Sequence, residues 1–363
     1  MIKKIIKYLL PYGVVRLIQK YKSQSISNSP DKPKLPDKKN KHLCCEILYS
    51  HLTFEEDHLR PHCWRNSGDF LPKYPYKGEP LSRKRITDYL NHIAATLSSE
   101  PEKCEGCIRA YYDKKPQKVS VNNFKLKLIM LNQHRFWCNV KCSYCFWLAR
   151  KKMGNIAKPY SIKEAIEFLF GNNMVDKDCR FSWGGGESTI LPEFDSLARL
   201  ICDKGHSQIL NTNAAVYSDA WAYVLANDKQ AYCNTSVDSG SAEVFKQIKN
   251  VDYFDQVWAN IKKYNNAAIN KYSFKVKYIV MASNRSHTEI EKFVDKCLDA
   301  GIRTVEYSVD GGEIAAGLSE ETIAAVAYLR ALVKKNNLGC ENAVFWDPEV
   351  AKALDDYPLP EIL

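Results

Sequence analysis

Cys138, Cys142 and Cys145 fall within the stretch FWCNVKCSYCFW, spaced C-x3-C-x2-C. Thiols this crowded cannot form three separate disulfides. Three thiolates on one short loop can instead converge on a single soft metal centre. A structural zinc site normally completes four ligands, and no fourth cysteine stands at matching spacing. A cubane iron–sulfur cluster held by only three cysteines leaves one iron open to another ligand. A second group, Gly184, Gly185, Gly186 and Glu187, stands in FSWGGGES. A glycine-rich strand end exposes backbone N–H and C=O groups and lets a ligand approach closely. Glu187 there could accept from a ligand ammonium. A turn or bulge is the plainer reading of the glycines alone. In TSVDS, Ser236 and Asp238 alternate and so project to one side of a strand. The helix N-cap alternative fits Ser239 or Ser241 better.

Five more cysteines precede these. Cys45, a hairpin-like segment and Cys63 are followed by the pair Cys104 and Cys107 in CEGC. Four thiols so arranged suit a closed zinc or iron–sulfur site. Cys44 is an alternative to Cys45, although the hairpin spacing favours Cys45. Cys179, Cys202, Cys233, Cys297 and Cys340 are isolated, mostly among apolar neighbours, and read as core packing.

These residues need a frame. From about residue 122, apolar β-rich runs alternate with helical periods. Strands are expected over 124–131, 179–184, 207–213, 232–238, 274–281 and 304–310. Helices are expected over 161–170, 194–204, 218–227, 241–250, 287–301 and 320–335. Six β-then-α units imply a parallel sheet. The fold class is therefore α/β, a partial (β/α)6 TIM-like barrel with a small Cys-rich N-terminal domain. Reactive sites in such sheets lie at the carboxyl ends of the strands, where Asn132, Asn211, Asn213, Asn284 and Asp310 also gather; Glu306 and Tyr307 lie inside the sixth strand. The expected organisation is a basic amphipathic helix at 1–22, a linker at 23–42, a Cys-rich auxiliary-cluster domain at 43–121, the core at 122–312 and a helical extension at 313–363.

C-x3-C-x2-C at the end of a first strand, Tyr144 just before the last cysteine, and GGE one unit later resemble the radical S-adenosylmethionine (SAM) superfamily over about residues 122–312. The resemblance implies that Cys138, Cys142 and Cys145 hold a [4Fe–4S] cluster whose open iron chelates the SAM amino and carboxylate groups. Reductive cleavage of SAM then gives a 5′-deoxyadenosyl radical that abstracts hydrogen from a substrate. Gly185, Gly186 and Glu187, with Gly184 in front, match the motif that holds the SAM amino group; Ser236 and Asp238 match positions that bind its ribose or carboxylate. The protein's part is to position and shield the cofactor.

The N-terminal cysteines resemble SPASM or twitch auxiliary domains, with two departures. They precede the barrel instead of following it, and the hairpin turn reads EEDH, without the usual glycine. This likeness implies a second, auxiliary [4Fe–4S] cluster, with zinc as the alternative. It also implies oxidation or radical rearrangement of a peptide or sugar-type metabolite, with a reductant such as flavodoxin or ferredoxin.

Bulk properties agree with an enzyme. The chain has 363 residues, 45% hydrophobic and 26% charged, enough for a buried core. No apolar run of about 18 residues suggests a membrane span, and no secretory signal is recognisable. Thirteen cysteines without such a signal point to a reducing compartment, the cytoplasm. The net charge of +10 is concentrated at the N-terminus, where residues 1–22 suit peripheral contact with the anionic inner face of a membrane. A solvated helix is the plainer alternative. No specific nucleic-acid module stands out. Two rival functions remain: an iron–sulfur electron-transfer or scaffold protein without SAM chemistry, and a zinc-stabilised nucleic-acid-binding module.

Overall fold

The computed structural model describes residues 42–63, 71–99, 104, 111–113, 119–145, 147–148, 158–344 and 347–362. The expected helix at 1–22, the linker up to residue 41 and Cys107 lie outside them.

The N-terminal part holds β1 (His42–Cys44), α1 (Glu46–Ser50), β2 (His51–Phe54), β3 (His58–Arg60), β4 (Tyr74–Pro75), α2 (Arg83–Ser99) and β5 (Tyr111–Asp113). Then β and α alternate: β6 (Leu126–Leu131), α3 (Lys163–Gly171), β7 (Val175–Trp183), α4 (Phe194–Asp203), β8 (Ser207–Asn211), α5 (Asp219–Asn227) and β9 (Tyr232–Ser236). The remaining elements are α6 (Ala242–Lys249), α7 (Phe254–Ala267), β10 (Phe274–Val280), α8 (His287–Asp299), β11 (Thr304–Val309), α9 (Gly311–Ala316), α10 (Glu320–Lys335), β12 (Gly339–Asn342) and α11 (Pro348–Asp356).

One ten-stranded sheet runs β12-β11-β10-β9-β8-β7-β6-β2-β3-β4. Neighbours from β6 to β12 pair in parallel. The Cys-rich region joins the same sheet: β2 pairs parallel to β6, and β3 and β4 continue antiparallel. The expected hairpin is thus present as β2–β3, attached to the barrel edge. β1 and β5 form a separate antiparallel pair.

Strand β10 shows how sequence becomes wall. In FKVKYIV, Phe274, Val276, Tyr278 and Val280 are buried, while Lys275, Lys277 and Ile279 are half-buried. The apolar row packs outward. Phe293 of α8 lies 4.5 Å, ring to ring, from Tyr278, and Tyr264 of α7 stacks 5.9 Å from Phe274. Each such side chain contributes roughly 1.5–3 kcal/mol by burial. The alternate row lines the inside. Helices start where a serine can satisfy a free amide: Ser218, Ser241, Ser286 and Ser319 accept from Trp221, Val244, Glu289 and Thr322 N–H, each cap worth about 1 kcal/mol.

All six expected strands and helices form. The structure adds a seventh consecutive parallel strand, β12, whose residues GCEN are mostly exposed; they carry no period-two apolar signal. It also adds α7, whose buried Phe254, Val257, Trp258, Ile261 and Tyr264 follow a helical period that was legible in the sequence.

Candidate active site

The three thiols sit on the loop leaving β6, and four neighbouring segments hold that loop in place. At its start, Asn132 N–H donates to Phe54 C=O of β2 at 2.9 Å. Arg135 then ion-pairs with Glu55 and Glu56 in the hairpin turn, and its guanidinium lies 4.4 Å from the Trp147 ring centre. Further on, Glu187 N–H donates to Trp137 C=O at 2.6 Å, and His134 Nε2 is 2.8 Å from the buried Ser188 hydroxyl. On the far side, Lys141 and Ser143 N–H donate to Lys249 and Ile248 C=O at 3.1 and 2.8 Å. Asn250 Nδ2 donates to Lys141 C=O at 2.9 Å. The loop therefore docks on the C-terminus of α6, whose orphan carbonyls need donors.

The glycines act through this packing. Gly185 and Gly186 have φ of 73° and 60°. A Cβ on Gly186 would meet Trp137 C=O at 2.3 Å and His134 C=O at 2.4 Å; one on Gly185 would meet Arg135 Cβ at 2.6 Å. The close approach that the glycine run permits is thus, first of all, that of the chain's own thiol loop. Both glycines also line a cavity of about 450 Å³ with Cys138, Cys142, Cys145, Asn213 and Ser236. Gly184 lies behind, its missing Cβ 3.3 Å from Asn132 Oδ1.

Glu187 and Asp238, read from the sequence as ligand contacts, are both fully buried and are not among the residues lining this cavity. Their oxygens are engaged within the protein. Glu187 accepts from Thr189 N–H and hydroxyl and from the Thr212 hydroxyl, at 3.2, 2.8 and 2.7 Å, and from Asn213 N–H at 2.6 Å. That bond orients Asn213, whose side-chain amide reaches Cys138 Sγ at 3.5 Å. Burial raises the Glu187 pKa against the lowering pull of these donors. Asp238 occupies φ 62°. It accepts from Tyr144 OH at 2.5 Å, Lys249 Nζ at 2.5 Å and Ile279 N–H at 2.8 Å. Lys249 also donates to Tyr144 OH at 2.7 Å. Glu187 and Asp238 are braces: one fixes the Cys138 side of the loop, the other the Tyr144 side.

Residues 132–297, the span just described, match the family model of the radical SAM superfamily. Over this span, a little under half of its length, the chain is similar to the radical SAM superfamily. A GTP 3′,8-cyclase of Haemophilus influenzae is 29% identical over 161 residues, 43% of this chain and 46% of the relative. A Saccharolobus islandicus protein named "Probable GTP 3′,8-cyclase" is 26% identical over 171 residues, 46% of this chain and 52% of the relative. The chain thus spans about half the length of the curated relatives it matches. Among solved structures, Streptococcus suis SuiB bound to precursor peptide SuiA aligns with 83% of this chain and 72% of its own, at 16% identity and TM-score 0.46.

At this site, desolvation pushes the thiol of Cys138, an exposed residue at the cavity, up to about 11, and burial raises that of Cys142. A metal must therefore displace protons to bind there. The donor set suits a soft metal: three thiols share one cavity wall, and no carboxylate or histidine lines it among the described residues. The thiols line the wall without converging, since no group of three metal-ligating side chains forms a closed site among the described residues. In the N-terminal set, Cys45 is buried and Cys63 and Cys104 are half-buried, all packed on the main core. Of the other expected polar residues, Asn211 and Asn213 line the cavity. Asn284 is buried, its amide donating to Asp238 C=O, and Asp310 caps α9 through Gly312 N–H. Glu306 lies inside the barrel, bonded by Tyr232 and Asn234, whereas Tyr307 points outward to Asp355.

Sequence reading missed Arg135, Lys249 and Lys277 on the wall. Lys249 stands in the last turn of α6, where a cation is ordinary. For Lys277, the alternation of FKVKYIV carried the signal.

Proposed function

We propose that the chain holds a [4Fe–4S] cluster through Cys138, Cys142 and Cys145, binds SAM at the open iron, and uses it to abstract hydrogen from a substrate. The observation that carries this reading is the set of three loop thiols on one cavity wall with no fourth protein ligand among its described residues. When bound, the cluster supplies one electron and SAM supplies the hydrogen-abstracting group.

The chain's own residues do the rest. Gly185, Gly186 and Ser236 line the cavity that would receive SAM, and Gly184 keeps the backbone close behind it. Glu187, through Asn213, and Asp238, through Tyr144, hold the thiol loop at a fixed height above the strands. Trp147, Phe136 and Leu148 on the same wall exclude water from a reactive intermediate.

The net reaction is oxidation or rearrangement of a peptide or sugar-type metabolite, and the cyclase relatives support rearrangement. Cys45, Cys63, Cys104 and Cys107 hold a second centre, an auxiliary [4Fe–4S] cluster, with electrons arriving from a flavodoxin or ferredoxin. Residues 1–22 make peripheral membrane contact.

The test is anaerobic reconstitution with iron and sulfide, addition of SAM and a strong reductant, and mass spectrometry for 5′-deoxyadenosine. The control is the Cys138/Cys142/Cys145→Ala triple variant. Product from the native chain alone is the expected result. A fully loaded native protein that neither binds nor cleaves SAM would overturn the reading.

A further inference from the structure

Four cations reach the cavity wall, Arg135, Lys141, Lys249 and Lys277, and no carboxylate lines it among the described residues. Arg135 is neutralised by Glu55 and Glu56, and Lys249 by Asp238. Lys141 is exposed at the rim. Lys277 differs from all three. It is half-buried on the inward row of β10, and its ammonium makes no hydrogen bond or ion pair with the described residues.

The acid nearest in register does not serve it. Glu306 of β11 pairs with Lys277 on the parallel ladder. Both Glu306 oxygens, however, are taken from across β10, by Tyr232 OH at 2.7 Å and Asn234 Nδ2 at 2.6 Å, both of β9. Lys275, one inward position earlier, has Glu341 at 2.5 Å and Glu306 at 3.7 Å. The acids of the barrel floor are thus engaged by their neighbours, and above them stands one uncompensated ammonium. A partly desolvated charge without a partner is costly to keep, and an anion arriving in the cavity would relieve that cost.

We propose that Lys277 is the recognition point for an acidic group of the substrate, a carboxylate or a phosphate, presented inside the barrel below the thiol loop. The proposal rests on the radical SAM reading above and adds the substrate class. Its position separates Lys277 from the SAM carboxylate. Ile279, whose N–H holds Asp238, marks the level at which the loop is anchored. Lys277 lies two residues earlier, about 7 Å deeper along the strand. A carboxylate bound to a metal on the three thiols would have its charge met there, at the level of the loop.

The test is anaerobic calorimetry on the cluster-loaded full chain saturated with SAM. Glycerol phosphate and succinate are the phosphate and carboxylate probes, at about 0.15 M salt so that screening is physiological. The native chain, Lys277→Met and Lys277→Arg are compared. One probe should bind the native chain and identify the acid. Lys277→Met should weaken it about tenfold or more, the scale of a charge-assisted hydrogen bond, and Lys277→Arg should retain it. SAM affinity is measured on the same proteins. A tenfold loss of SAM affinity in Lys277→Met would assign the lysine to the cofactor and overturn the proposal. So would a native chain that binds neither probe, or one matched by Lys277→Met. Failure of the radical SAM reading shows separately, as loaded native protein that does not bind SAM.

Discussion

Lys249 is 3% exposed and Asp238 fully buried, yet both are charged partners 2.5 Å apart. Burial pulls the lysine pKa down, but the Asp238 carboxylate and the nearby Cys142 outweigh it and the net shift is upward. Removing one member strands the other. Lys249→Met should therefore cost about 3–5 kcal/mol, read as a lower urea midpoint, and should reduce iron bound per chain, because Tyr144 loses one of its partners and Asp238 its counter-charge. An unchanged midpoint would show that the pair is not a brace. His134 gives a pH test. Burial lowers its pKa to about 3, so the fold accepts the neutral ring only. That contribution is complete above the unfolded value near 6.5 and is lost as pH falls from there towards 3, on the order of 5 kcal/mol in all. Urea midpoints measured between pH 7 and 4 should fall for the native chain and flatten for His134→Gln.

At the scale of elements, the decisive join is between the thiol loop and the end of α6. Asn250 terminates that helix at φ 56° and ties Lys141 with its side chain. Asn250→Gly keeps the left-handed cap and deletes the tie; Asn250→Ala deletes both. The glycine variant should keep its melting temperature within a few degrees and still load less iron. The alanine variant should also lose about 1 kcal/mol of stability. A glycine variant that loads normally would remove Asn250 from the account. The alternation of β and α was legible because each strand shows an apolar face and each helix an apolar stripe. The thiol spacing was legible too. What the docking does was not: that Gly186 faces Trp137 C=O, or that Glu187 braces Asn213, depends on strands brought together from distant parts of the chain. The glycine run and the two acids were visible as chemistry, but their partners were not.

Across the whole molecule, the Cys-rich region and the barrel share one sheet. The turn between β2 and β3 places Glu55, 1% exposed, between Arg60 and Arg135. Arg135 belongs to the thiol loop, so a change in the hairpin is felt at the catalytic wall. Glu55→Gln should destabilise by about 3 kcal/mol by leaving buried guanidinium charge under-compensated. It should also shift the visible spectrum of the loaded cluster; a variant with native spectrum and stability would sever that link. The shared sheet also has a consequence for how the protein comes into being. β2 leaves the ribosome long before β6, the strand it must lie beside. Until β6 emerges, the hairpin waits with one edge bare, the state most open to wrong pairings and to chaperones. Arrested nascent chains ending before β6 should leave residues 51–60 open to protease. Chains carrying β6 and β7 clear of the exit tunnel should protect them.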